Sequence, residues 1–124
     1  MKLPSNLKYN KDHSWINENK DKVTIGLIKE SVDNMGELVF IELPKKGDKL
    51  QIGNPYISIE SLKWSGHLNS PVTGEVISVN QELEDEPEKI NQDPYNNWII
   101  EVKIEKLDEL MDNKKAQEYY EEQT

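Results

Sequence analysis

Lys63 is the residue whose surroundings most suggest a chemical role. It lies between two stretches of branched and partly alternating residues, 56–60 and 75–79, which are typical of β-strands. Small and polar residues, including Gly66 and Pro71, fill the connection between them, so we expect the ammonium group of Lys63 to be in water. Enzymes that use a lysine as a nucleophile bury it, whereas an exposed lysine suits modification by another enzyme, because amide formation requires access. The alternative is a solubilising surface lysine, one of 15 in a chain without arginine.

The sequence around Lys63 resembles the lipoyl-attachment region of the H protein of the glycine cleavage system. The resemblance rests first on Glu60-Ser61-Leu62-Lys63 and on Ser70-Pro71-Val72-Thr73-Gly74-Glu75-Val76. It extends from about residue 7 to residue 120 without an obvious large gap. Five further segments follow in the order that the family has: residues 12–15, 24–27, 35–44, 91–95 and 98–100.

The resemblance implies a non-catalytic carrier with lipoate bound covalently to Lys63. In the family, the lipoyl arm accepts an aminomethyl group when a pyridoxal-phosphate glycine decarboxylase releases carbon dioxide from glycine. A folate-dependent aminomethyltransferase takes that group, and dihydrolipoyl dehydrogenase reoxidises the arm. A lipoate ligase or lipoyl synthase would install the cofactor. Tethering keeps the cargo at high effective concentration near successive active sites.

The resemblance also assigns roles to residues near Lys63. Glu60, Ser61 and Gly74 are expected to be recognised by the enzyme that attaches the arm. A second group is expected to surround the arm or its cargo: His13, Ser14, Trp64 and His67.

Three positions depart from the family pattern and keep a second function open. The family usually has glutamate at the position of Ser14, aspartate at that of His67 and a small residue at that of Trp64. Histidine can become positive at mildly acidic pH, so the expected binding of a protonated amine is weakened here. The alternative is an H-protein-like lipoyl carrier for another pathway, such as heterodisulfide-reductase-like sulfur oxidation, with a neutral or anionic cargo.

Other function classes fit the sequence less well. The flanks of Lys63 are Leu62 and Trp64, not the two methionines usual in biotin carriers. The net charge of −9 and the lack of arginine oppose binding to nucleic acid or to an anionic membrane. Without cysteine there is no disulfide or thiolate site, and neither His13 nor His67 stands among carboxylates at metal-ligand spacing, so no metal is expected.

The length of the chain and its succession of short predicted strands indicate one mainly β domain, 1–124. We expect a soluble, cytoplasmic monomer, with a processed organellar form left open, because no signal-peptide or membrane-spanning pattern is found. The core is expected at about residues 7–104 and a helical segment at about 106–122. Short strands with Gly and Pro turns indicate an antiparallel sandwich or flattened barrel. The resemblance implies a barrel-sandwich hybrid with a short inserted helix and C-terminal helices.

Individual elements follow from periodicity. A short helix is predicted over 28–35, with Gly36 as its C-terminal stop. Apolar residues between 107 and 111 suggest another helix, and a last one is expected with Asn113 as its cap. The loop 81–97 is long enough to be functional or to contain local structure. Strands are predicted at 13–17, 22–27, 37–43, 50–52, 56–60, 75–79 and 98–104.

Overall fold

The computed structural model describes residues 2–123 as a chain of short strands with four helices. The strands are β1 (Lys8–Tyr9), β2 (Ser14–Asn19), β3 (Lys22–Leu27), β4 (Leu38–Glu42), β5 (Lys49–Leu50), β6 (Pro55–Ser61), β7 (Ser65–Asn69), β8 (Val72–Val79) and β9 (Ile100–Leu107). The helices are α1 (Lys29–Met35), α2 (Glu82–Asp85), α3 (Lys89–Gln92) and α4 (Asn113–Glu122). None of the helices within residues 2–123 has the length and apolar character needed to cross a membrane.

Two antiparallel sheets form the body of the molecule. The larger has the strand order β1-β2-β3-β9-β8-β5, and the smaller has the order β4-β6-β7. Both contribute to one apolar cluster, which includes Ile25 and Val102 from the larger sheet and Ile41, Ile57 and Ile59 from the smaller. Ile57 and Ile59 lie two residues apart on β6, so the alternation in the sequence places both on the inner face. The mainly β, barrel-sandwich expectation is confirmed.

The C-terminal helix α4 packs on a second apolar cluster, where Tyr9, Trp15, Ala116 and Tyr120 are buried. The Tyr120 hydroxyl donates a hydrogen bond to the Asn10 carbonyl. This contact links the end of the chain to the turn between β1 and β2, which is part of the candidate site.

Several predicted elements need correction. The helix expected between 107 and 111 is wrong, because Leu107 ends β9 and Met111 forms a bridge with Tyr9, each backbone N–H donating to the other's carbonyl at 2.9 Å. The expected segment 106–122 therefore contains one helix, α4. Its N-cap is Asp112 and not Asn113: the Asp112 carboxylate accepts from the Lys115 N–H at 2.8 Å.

The predicted connection from Lys63 to residue 75 contains an unpredicted strand. β7 pairs with β6, whereas β8 belongs to the larger sheet between β9 and β5. The long loop 81–97 contains α2 and α3. Lys63 thus lies in a tight hairpin turn and not in a long open loop.

Candidate functional site

Lys63 lies in the β6–β7 hairpin turn, here defined as residues 61–64. Glu60 pairs with Ser65 at the base of the turn. The Ser61 N–H donates to the Trp64 carbonyl at 2.8 Å, and the Ser61 hydroxyl donates to the same oxygen at 2.9 Å. The Lys63 side chain is exposed, and no carboxylate of residues 2–123 forms an ion pair with it. The turn therefore presents an exposed primary amine on a closed backbone.

Backbone hydrogen bonds from the C-terminal end of helix α1, here called the α1 exit, hold this turn from outside the hairpin. The Lys63 N–H donates to the Met35 carbonyl at 3.0 Å, and the Leu62 N–H donates to the Glu37 carbonyl at 3.1 Å. Gly36 lies between these two acceptors with φ 77° and ψ −167°, a conformation that is nearly restricted to glycine. The short inserted helix thus fixes the backbone of Lys63 while its side chain stays free.

A cleft of about 290 Å³ adjoins Lys63. One side is α1, and the other is the turn between β1 and β2, with β7 between them. The residues that line it are Asp12, His13, Ser31, Asn34, Met35, Lys63, Trp64, His67 and Leu68. A flexible group attached to Lys63 therefore has a recess beside its point of attachment.

Asp12 and His13 form the polar wall of the cleft. The Asp12 carboxylate accepts from the Asn69 N–H at 2.7 Å, which ties the wall to β7. The His13 ring stacks on Tyr120 with centroids 4.6 Å apart. Burial lowers the pKa of His13, against a smaller opposing effect of Asp12, so the imidazole is favoured in its neutral form. A neutral His13 leaves the Asp12 carboxylate available to attract a cation.

Trp64 forms the wall next to the hairpin turn. It is 37% exposed and therefore lies outside the core. Its indole lies over Gly66: a Cβ placed there would be 2.8 Å from Trp64 Cζ2. Trp15 is buried, with 4% exposure, whereas Trp98 is partly buried against the second apolar cluster.

The remaining predicted residues are less close to the cleft. Ser14 is buried on β2 and is not part of the lining. Glu60 is exposed and Ser61 half-buried at the hairpin, where an attaching enzyme can reach them. Gly74 is buried on β8, where a side chain would collide with the Lys103 carbonyl, so strand packing already explains the glycine.

Sequence reasoning missed three cleft residues on α1, namely Ser31, Asn34 and Met35, together with the place of Asp12. The helix itself was predicted, but no sequence signal shows that its end meets the hairpin turn. A larger cavity of about 620 Å³ lies beside α4 and shares Asp12 with the cleft. Lys63 does not line it, so the cleft beside Lys63 is taken as the candidate site on the chemistry of its side chains and not on volume.

Comparisons with known proteins agree with this geometry. The profile of the family described as Glycine cleavage H-protein matches residues 7–123. The chain belongs to the glycine cleavage H-protein family. It is 47% identical over 111 residues to a glycine cleavage system H protein of Clostridioides difficile, with 89% of each chain covered. It is 41% identical over 119 residues to that of Vibrio parahaemolyticus, with 94% of each covered.

A solved structure supports the fold of the family member described here. The crystal structure of a glycine cleavage system H protein from Mycobacterium marinum aligns with a TM-score of 0.87 at 30% identity. The alignment covers 98% of both chains. The resemblance that the sequence suggested is therefore confirmed at the level of family and fold.

Proposed function

We propose that the protein is a lipoyl carrier of glycine cleavage, with lipoate joined to Lys63 by an amide. One observation carries this proposal: the backbone of Lys63 is fixed, whereas its side chain is free to move. The Lys63 N–H is fixed on the Met35 carbonyl, whereas the Lys63 side chain is exposed beside a cleft. Membership of the glycine cleavage H-protein family supports the same role.

The residues around Lys63 suit a covalently attached lipoyl group. The amine is accessible and free of a competing carboxylate among residues 2–123, as amide formation requires. The cleft offers the apolar surfaces of Met35, Leu68 and Trp64 next to the polar wall. When bound, lipoate supplies a dithiolane that can carry the aminomethyl group from the glycine decarboxylase to the aminomethyltransferase and be reoxidised by dihydrolipoyl dehydrogenase.

The residues of the chain have positioning roles in this proposal, and none acts as a catalyst. The hairpin turn holds the root of the arm at a fixed place, which limits the volume that the arm explores and raises its effective concentration at a docked partner. Asp12 supplies a carboxylate toward a protonated amine in the cleft, and neutral His13 adds no opposing charge.

Intact mass spectrometry tests the attachment. The chain is expressed with lipoate and a lipoate–protein ligase, and we expect the mass gain of one lipoyl group. Lys63→Arg should abolish that gain, while Lys103→Arg, at an exposed position on β9, should leave it unchanged. Full lipoylation of Lys63→Arg would contradict the proposal.

The alternative, a lipoyl carrier for sulfur oxidation, differs in the cargo that the arm carries. It is supported by Ser14 and His67, which stand where carboxylates are usual in the family. Asp12 lines the cleft, however, so a carboxylate is available to an amine there. Aminomethyl loading of the lipoylated protein by a glycine decarboxylase separates the two. Efficient loading supports the glycine cleavage role, and failure to load, with lipoate present, supports the alternative.

Other features of the role stay predictions. We expect a single-domain monomer that works in the cytoplasm and meets the glycine decarboxylase, the aminomethyltransferase, dihydrolipoyl dehydrogenase and a lipoate ligase or lipoyl synthase. Recognition by the attaching enzyme is expected at Glu60 and Ser61, which shortly precede Lys63. The charge of −9 suits partners that present basic surfaces.

A further inference from the structure

The segment 89–97 braces helix α1 from one end to the other. Near the start of the helix, the Lys29 N–H points to the Tyr95 hydroxyl at 3.5 Å. At the exit, Asn91 on α3 makes two hydrogen bonds through its side-chain amide. The function proposed above does not explain why this part of the long loop is ordered against α1.

The two bonds of Asn91 fix the chain between α1 and β4. Its Oδ1 accepts from the Leu38 N–H at 2.9 Å, and its Nδ2 donates to the Gly36 carbonyl at 2.9 Å. The Gly36 carbonyl and the Leu38 N–H lie on either side of Glu37 and need a donor and an acceptor, which one primary amide supplies together. Asn91 therefore clamps residues 36–38 in one conformation.

The clamped segment is the one that holds Lys63. The carbonyls of Met35 and Glu37 accept from the backbone amides of Lys63 and Leu62. Both carbonyls lie within one residue of Gly36, whose own carbonyl Asn91 binds. A rotation of the Gly36 peptide would move the neighbouring acceptors, and a glycine has little intrinsic resistance to such rotation.

We infer that Asn91 is a positioning residue for the modification of Lys63: through Gly36 and Leu38 it orders the hairpin turn that an attaching enzyme must recognise. This inference rests on the proposed attachment at Lys63. Within residues 2–123, the side-chain hydrogen bonds of Asn91 go to Gly36 and Leu38 and not to residues 61–64, so its effect passes through the carbonyls at the exit of α1. Removing it should leave the Lys63 amine in place but let the turn sample other conformations.

Amide hydrogen exchange on the unmodified protein tests the mechanical step. In Asn91→Ala, we expect the Leu62 and Lys63 amides to lose about tenfold in protection, the effect of roughly one net hydrogen bond, beyond any change in β8 and β9. Asn80→Ala is the matched control, because it also removes a side-chain bond to a backbone carbonyl, that of Trp98, away from the turn. It should leave both amides protected.

The rate of lipoyl transfer tests the functional step. With a lipoate–protein ligase and carrier held well below its KM, Asn91→Ala should be modified several-fold more slowly than Asn80→Ala, although Lys63 is intact in both. Unchanged exchange at Leu62 and Lys63, an equal loss in Asn80→Ala, or an unchanged transfer rate would each overturn the inference. Absence of lipoylation in the wild-type chain would instead overturn the proposed function, while the exchange measurement would still test the clamp.

Asn91→Asp keeps the test open if Asn91→Ala does not fold. The carboxylate can still accept from the Leu38 N–H but cannot donate to the Gly36 carbonyl. We expect the same loss of protection at Leu62 and Lys63. Full protection in a folded Asn91→Asp protein would overturn the inference.

Discussion

The two walls of the cleft are held in different ways. One wall, formed by the hairpin turn and here called the Lys63 wall, is anchored on the carbonyls of Met35 and Glu37, so its contacts are between backbone groups. At the opposite wall, the His13 carbonyl accepts from the Ile28 N–H at 3.1 Å, but the His13 ring is positioned by the side chain of Tyr120, a residue far along the chain. The attachment point therefore depends on backbone acceptors at the exit of α1, which Asn91 orders, whereas the position of the His13 ring depends directly on a neighbouring side chain.

This difference gives the two walls different vulnerabilities. His13 has φ 60°, in the left-handed region that non-glycine residues adopt infrequently, and histidine is among the residues enriched there. Gly36 has a conformation nearly restricted to glycine. Each wall thus contains one strained position, and the surrounding contacts must offset the strain.

The largest expected effect is at the His13 wall. Tyr120→Ala should lower the free energy of unfolding by about 3–5 kcal/mol, because Tyr120 is 1% exposed and its ring packs both in the second apolar cluster and on His13. Urea denaturation measures the change. Tyr119→Ala, at a partly buried neighbour, should cost less, and equal losses would show that the stack on His13 contributes nothing specific.

An intermediate effect is expected at the Lys63 wall. Gly36→Ala should lower the free energy of unfolding by about 1–3 kcal/mol, because the backbone conformation is unfavourable for any side chain. A Cβ there would meet Leu62 Cβ at 3.5 Å, an ordinary contact, so the cost comes from the backbone and not from a clash. Urea denaturation measures it, with amide exchange at Lys63 as a local readout.

A matched glycine controls that prediction. Gly53 also has a positive φ, 87°, and a Cβ there would meet no atom within 4 Å. Gly53→Ala should therefore carry a similar strain without affecting exchange at Lys63. If both variants changed the Lys63 amide equally, the local anchoring of the hairpin turn by the α1 exit would be refuted.

The smallest effect is a pH dependence of the His13 wall. Because burial lowers the pKa of His13 in the folded state, the unfolded chain takes up a proton first as the pH falls below about 6.5. The His13 contribution to stability is therefore complete above that pH and is lost as the pH falls through the folded-state pKa. Urea denaturation between pH 7.5 and pH 5 should show a steeper decline for wild type than for His13→Asn, which tolerates a positive φ. Equal slopes would contradict the shift.

The sequence predicted those parts of the fold that follow from local pattern. Helix α1 with its Gly36 stop and strand β3 were predicted almost to the residue, because an apolar period and a glycine coincide there. Strand β7 was missed, since its residues are mostly polar and Leu68 alone is buried. As an edge strand that lines a cleft, it lacks the alternation that identifies a half-buried strand.

The site was predicted only where side-chain chemistry is local in the sequence. Lys63, Trp64 and His67 lie within five residues and were found together. Asp12 and Met35 come from distant segments, and only the folded chain brings them to the cleft. The spacing of Leu107 and Leu110 imitated a helix, but pairing of β9 with β8 prevailed over that local period.

The position of the Trp64 indole over Gly66 makes its fluorescence a reporter of the cleft. The indole of Trp64 is an intrinsic fluorophore that adjoins Lys63 in the chain and lines the cleft, and its emission depends on how much water reaches the ring. Entry of any guest into the cleft would change that solvation, so occupancy could be followed by light, without a label, in the native chain.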